Sequence, residues 1–152
     1  MGPPLTEANT ACICLPAVSD EGWMAEKRIL LIEDEATTRE ILTAALRGEG
    51  YEMDSVATAA AANTCLNLVP YALVLADWVL PDGDGIDVAD AAAQLGAKTI
   101  VITGYISELP PRAAERHELV SKQVGYADIL AAVRRAIGDP PAQLQQRLQL
   151  CA

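Results

Sequence analysis

Residues 72–85 read Ala72-Leu73-Val74-Leu75-Ala76-Asp77-Trp78-Val79-Leu80-Pro81-Asp82-Gly83-Asp84-Gly85. The apolar run 72–76 suits a strand covered on both faces, and residues 81–85 have the composition of a loop. Asp77 stands between them, at the carboxyl end of a central strand, where open α/β sheets place their ligands. A second such run, Ile29-Leu30-Leu31-Ile32, ends in Glu33-Asp34-Glu35. Two apolar strands that deliver acid at the same end predict a clustered acidic site. Such a cluster can hold a metal, accept a phosphoryl group, or do both.

Strand-like and helix-like segments alternate on either side. Ile41, Leu42, Ala45 and Leu46 recur at helical spacing with Arg39, Glu40 and Arg47 outward, and Gly48 and Gly50 close that helix. A short strand near 51–55 follows, then an alanine-rich helix over about 58–68 that Pro70 stops. A third helix begins after Gly85, with Ile86, Val88, Ala89, Ala92 and Leu95 available for packing. Thr99-Ile100-Val101-Ile102 is the fourth strand and ends at Thr103-Gly104. Pro110-Pro111 interrupts the next segment, so the fourth helix is expected to be short or irregular. Leu119-Val120 gives a brief fifth strand ending at Ser121-Lys122. A last helix carries Ile129, Leu130, Val133 and Ile137 on one stripe until Gly138-Asp139-Pro140-Pro141. Five βα units in succession predict an α/β domain, a (βα)5 doubly wound parallel five-stranded sheet with helices on both faces.

The 152 residues suffice for one such domain, expected over 26–138. Residues 1–25 hold Pro3, Pro4 and Pro16 and the acids Glu7, Asp20 and Glu21, and are expected to be a leader outside the fold. The alternative is an arm that adds Ala11 to Val18 as a strand. In residues 139–152, Leu144, Leu148 and Cys151 share one side, which predicts a short C-terminal helical extension. Helices under about 12 residues are marginal in water, so this tail frays, docks on the domain, or serves as a homodimer arm.

Hydrophobic content of 51% with 21% charged residues is globular. A net charge of −10 argues against nucleic acid and against an anionic membrane surface as partners. No apolar run reaches the length of a membrane span and the N-terminus lacks signal-peptide regions, so a cytoplasmic location is expected. Cys12, Cys14, Cys65 and Cys151, with the lone His117, make a poor zinc set and are expected to be free thiols.

Four stretches together carry a resemblance: Ile29 to Glu35, Leu73 to Gly85, Ile100-Val101-Ile102-Thr103-Gly104, and Ser121-Lys122. In that order and spacing they resemble the response-regulator receiver domain of bacterial two-component signalling, over roughly residues 26–138. The resemblance implies a flavodoxin-like strand order, 2-1-3-4-5. It also implies that Asp77 accepts a phosphoryl group from a histidine kinase, with Mg2+ as cofactor. A carboxylate approaching an anionic phosphoryl group needs such a cation to offset the repulsion. Asp34 and Asp77 would be direct ligands, Glu33 would act through water, and the backbone carbonyl of Val79 would complete the protein's share. Lys122 would supply a fixed positive charge and Thr103 a hydroxyl donor to phosphoryl oxygens, with the N–H groups of Trp78 and Gly104 as further donors. Pro81 and Gly85 are expected to shape the turn rather than touch phosphate.

The implied protein is a single-domain phosphoacceptor rather than an enzyme, though it can catalyse its own phosphorylation and dephosphorylation. Its downstream partner would be another protein or a phosphotransfer protein. Three features depart from the family. Gln123 stands where proline commonly follows the lysine, which bears on the lysine's reach. Leu119 replaces the aromatic switch residue, for which Tyr105 is a candidate substitute. Pro110-Pro111 alters the usual output surface around the fourth helix. Trp78 either shields the acyl phosphate or packs at the rim. These departures leave a second reading open, a pseudo-receiver acting as a constitutive binding or dimerisation module. A haloacid-dehalogenase-type phosphatase would need a second Asp where Val79 stands.

Overall fold

The computed structural model describes residues 27–138. In chain order the elements are β1 (Arg28–Ile32), α1 (Ala36–Glu49), β2 (Glu52–Val56), α2 (Ala59–Leu68), β3 (Leu73–Asp77), β4 (Val79–Leu80), β5 (Gly83–Asp84) and α3 (Gly85–Gln94). They continue with β6 (Lys98–Thr103), a 3-10 turn (Ile106–Glu108), α4 (Pro111–Arg116), β7 (Glu118–Ser121) and α5 (Tyr126–Ile137). Five strands pair in parallel in the order β2-β1-β3-β6-β7. Counted as the five parallel strands, that is the expected 2-1-3-4-5. The leader expected at 1–25, and the short helix and dimer arm expected in 139–152, fall outside the described residues.

The apolar runs of β1, β3 and β6 are continuous because both of their faces are covered. On one face Ile29, Leu31, Leu75, Ile100 and Ile102 pack with Leu42 and Leu46 of α1 and Ile129 and Val133 of α5. On the other, Leu30, Ile32, Val74 and Ala76 pack with Ala62 and Leu66 of α2 and Val88 and Ala92 of α3. Two residues predicted to pack do not. Ile41 is 41% exposed because the buried stripe of α1 runs through Leu42, Thr43 and Leu46, and Leu95 is 64% exposed because it lies beyond the last turn of α3.

Residues 81–85 are not a plain loop. β4 and β5 form a small antiparallel hairpin around Pro81-Asp82, with Val79 opposite Asp84 and Leu80 opposite Gly83. Its acids cap two helices. Asp82 accepts the N–H groups of Ala59 (2.7 Å) and Ala60 (3.0 Å), which hold its carboxyl below the ordinary range. Asp84 accepts the N–H of Ile86 at 2.7 Å and begins α3. Helix starts leave such donors without intrahelical partners, so the hairpin is fastened at both sides. The fourth helix is as short as expected. Pro111 occupies its first position, where a missing N–H is harmless, and only Ala113 is buried.

A part-buried ion pair closes the amino end of the sheet. Arg28 donates from Nε (3.0 Å) and Nη2 (3.1 Å) to the two carboxylate oxygens of Asp54, and the Tyr71 hydroxyl donates to the same group at 2.6 Å.

Gly85 sets the approach of α3 to the end of β3. Its N–H donates to the Trp78 carbonyl at 2.7 Å, and a Cβ there would lie 1.9 Å from the Asp77 carbonyl oxygen. Backbone cannot move aside as a flexible side chain can. Gly85→Ala is therefore expected to destabilise the fold by about 3 kcal/mol or more in urea unfolding. Gly48→Ala, in α1 with open space around it, is expected to stabilise by about 0.5–1 kcal/mol. Equal midpoints for the two variants would contradict the contact.

Candidate functional site

Parallel register brings the acids together. Ile32 pairs with Ala76 and Asp77 with Ile102, so Glu33, Asp77 and Thr103 stand at adjacent strand ends. Thr103 pairs with Ser121 on the next strand, and Lys122 follows it. Glu33 and Asp77 are buried, 1% and 6% exposed, while Asp34 is at the surface. Oxygens of these three carboxylates all lie within 4.8 Å of one another.

Lys122 occupies the space between the buried acids. Its ammonium lies 3.1 Å from Asp77 Oδ2 and 3.2 Å from Glu33 Oε1. Its N–H donates to the Thr103 carbonyl at 2.9 Å, which continues the β6–β7 ladder by one residue. The lysine thus reaches the acids with Gln123 after it. Glu33 also accepts the N–H of Glu35 at 3.2 Å, and Arg39 donates to the Glu33 carbonyl at 2.9 Å. Arg39 reads in the sequence only as an outward charge on α1, and nothing there signals its hold on the end of β1.

Burial raises the Asp77 pKa to about 6, and the neighbouring negative charge of Glu33 adds to the rise. Lys122 works against both. Burial in turn works to lower the Lys122 pKa, but Asp77 and Glu33 outweigh it and hold the ammonium above its ordinary range. A cation beside Asp77 favours its ionised form against both burial and the charge of Glu33.

Other predicted residues fall around this centre. Thr103 is buried, and its Oγ1 accepts the N–H of Tyr105 at 2.9 Å. The ring of Tyr105 is 60% exposed, so its backbone, not its ring, meets Thr103. The Trp78 N–H donates to the Ile102 carbonyl at 3.1 Å, so the expectation of a phosphoryl contact there is corrected: that donor belongs to the sheet. Gly104 has open space where a Cβ would lie. Val79, two residues past Asp77 in β4, has an exposed side chain, and Leu119 is half-buried opposite Val101.

An octahedral Mg2+ with oxygens at about 2.0–2.1 Å spaces its ligand atoms about 3–4 Å apart. The cluster offers oxygens from three carboxylates, all within 4.8 Å of one another, so these residues fit a hard divalent cation.

The family model of the response regulator receiver domain matches residues 29–134. The chain belongs to this family. The receiver protein CpdR of Brucella abortus is 32% identical over 116 residues, which cover 73% of this chain and 97% of CpdR. A CheY-like receiver domain from Methanospirillum hungatei superposes with a TM-score of 0.66 at 25% identity, covering 80% of this chain and 98% of that one. TrrA of Thermotoga maritima, solved in complex with Mg(2+)-BeF, gives 0.64 at 30% identity, covering 72% of this chain and 98% of TrrA. As a receiver domain the chain is a signalling component rather than a conventional enzyme. Among its described residues no helix is long and apolar enough to cross a membrane.

The raised Asp77 pKa has a direct consequence for stability in cation-free buffer. The folded state holds this proton up to about pH 6, whereas the unfolded chain releases it near 3.8. Stability is therefore lost as pH rises between these values, and the loss is complete above the folded pKa. Asp77→Asn removes the ionisation. In urea unfolding with a chelator, the variant is expected to be more stable than the parent at pH 7–8, with the gain shrinking through pH 6 and gone near pH 4. A stability difference that does not change with pH would refute this balance of charges.

Proposed function

We propose that this receiver domain is a single-domain response regulator that accepts a phosphoryl group on Asp77 from a histidine kinase. The observation that carries the reading is the Lys122 ammonium held 3.1 Å from a buried Asp77 beside two further carboxylates. In the transfer, the P–N bond of the kinase's phosphohistidine breaks and a P–O bond to an Asp77 carboxylate oxygen forms. Glu33, Asp34 and the Val79 carbonyl would hold Mg2+ together with Asp77, Glu33 through water. When bound, Mg2+ offsets the repulsion between carboxylate and phosphoryl group. Lys122 then turns from Asp77 to a phosphoryl oxygen, and the Thr103 hydroxyl and the Gly104 N–H donate to others. The same groups serve self-phosphorylation by small donors, and water ends the cycle by releasing phosphate.

Phosphorylation adds about −1.5 to −2 charge at a point already rich in acid. It changes the protein only through groups that interact differently with the two forms, and Lys122 and Thr103 are the groups positioned to do so. The receiver unit spans 26–138, between a leader at 1–25 and a tail at 139–152. Output is by contact with a downstream protein or by onward transfer to a phosphotransfer protein, in the cytoplasm and without nucleic acid or membrane. CpdR, 97% of whose length is matched, supports the single-domain reading. A homodimer through the tail is a further element of the proposal.

Incubation with acetyl phosphate or beryllofluoride tests the site. Modification is expected with Mg2+, not with chelator, and not in Asp77→Asn; Lys122→Ala is expected to slow it by at least about tenfold. A folded protein that forms no adduct under any condition would favour the pseudo-receiver instead. For the tail, deletion of residues 139–152 is expected to lower the mass in solution to that of a monomer.

A further inference from the structure

His117, the chain's only histidine, lies outside the acidic site and is 6% exposed. Its Nε2 is 2.7 Å from Asp90 Oδ1 on α3, and its Nδ1 is 2.5 Å from Thr99 Oγ1 on β6. Arg116 donates to the other Asp90 oxygen at 2.9 Å. Burial works to raise the Asp90 pKa, but the bonds from His117 and Arg116 outweigh it and keep the carboxylate ionised. An ionised carboxylate only accepts, so Nε2–H donates to Asp90. In the neutral ring, Nδ1 then accepts the Thr99 hydroxyl.

The register gives this cluster its meaning. Ile100 pairs with Glu118 and Thr103 with Ser121, so Thr99 and His117 are the next pair at the open end of the same ladder. β7 is an edge strand of four residues, and only Val120 among them is buried. Its other tie on the α5 side is the exposed ion pair of Glu118 with Arg135, of a kind worth little. α4, which leads into β7, buries only Ala113. Hydrophobic pattern therefore specifies the register of β7 weakly, and a slip of one residue would carry Lys122 about 3.3 Å along the strand and turn it to the other face.

We propose that His117 is a positioning residue. By joining Thr99 of β6 to Asp90 of α3, it locks the register of β7 and so delivers the Lys122 ammonium to Asp77. Arg116 supports it by holding Asp90. This inference rests on the phosphoacceptor reading of Asp77 for its functional consequence, but not for the register lock itself.

The test uses the full chain with Mg2+ and acetyl phosphate. Thr99→Val keeps the shape of the side chain and breaks only the bond to His117. It is expected to slow phosphorylation at saturating donor by about tenfold, since small misplacement of a reacting group is costly, with the half-saturating donor concentration unchanged. The amide hydrogens of Ser121 and Lys122 are expected to exchange faster in the same variant. His117→Ala should behave alike, and His117→Gln should recover most of the rate, because its carboxamide can accept from Thr99 and donate to Asp90. Should His117→Ala fail to fold, Thr99→Val and Asp90→Asn decide the matter. Folded variants with the parent's rate and the parent's exchange at Lys122 would overturn the proposal. A parent protein that takes no phosphoryl group would instead overturn the reading of Asp77, and amide exchange would still decide the register lock.

Discussion

A single ammonium group between two buried carboxylates governs the architecture of this domain. Glu33 and Asp77 are both nearly inaccessible to water, and the charge of Glu33 adds to the burial that disfavours ionisation of Asp77. Lys122 lies within 3.2 Å of both and makes their proximity tolerable. Burial and the charge of Glu33 push Asp77 toward its neutral form, which neither binds a cation well nor attacks a phosphoryl group. A divalent cation would relieve the same repulsion from the open side of the cluster, where Asp34 faces solvent.

Backbone register delivers the two buried carboxylates to one point. β1 and β3 pair in a register that places Glu33 beside Asp77, and the crossover through α3 brings β6 alongside. The short hairpin after Asp77 is fastened to α2 by Asp82 and to α3 by Asp84. Gly85 lets α3 start against the Asp77 carbonyl, where any side chain would collide. Lys122 is the exception, because it comes from the edge strand least held by packing. Its placement depends on polar contacts: its own N–H to Thr103 at one end of the ladder, and the His117 cluster at the other.

Much of this was legible in the chain. The continuous apolar runs could only be strands covered on both faces, and their alternation with helical stripes required a parallel sheet. Acids directly after Ile32 and Ala76 then had to meet at one edge. What misled was local composition. Pro81 to Gly85 reads as loop, because proline, aspartate and glycine are turn formers whether or not two strand bonds flank the turn. Ile41 and Leu95 read as core, because helical spacing does not say where a stripe ends or a sheet stops. The Trp78 N–H reads as a candidate ligand donor because residue position alone does not show that the ladder to β6 claims it.

The sequence by itself determined the strand order's raw material, the acidic edge and the identity of the residues that converge there. These depend on apolar periodicity and on residue type, which are properties of short segments. Tertiary structure alone decided that Asp82 caps α2, that Asp54 is bound by Arg28 and Tyr71, and that a lone histidine bridges Thr99 and Asp90. In each case the partners lie 17 or more residues apart, and a polar group's partner at such separation is set by register and crossover, which no local pattern encodes. The same holds for Lys122: its charge is written in the chain, but its distance from Asp77 is a property of the sheet.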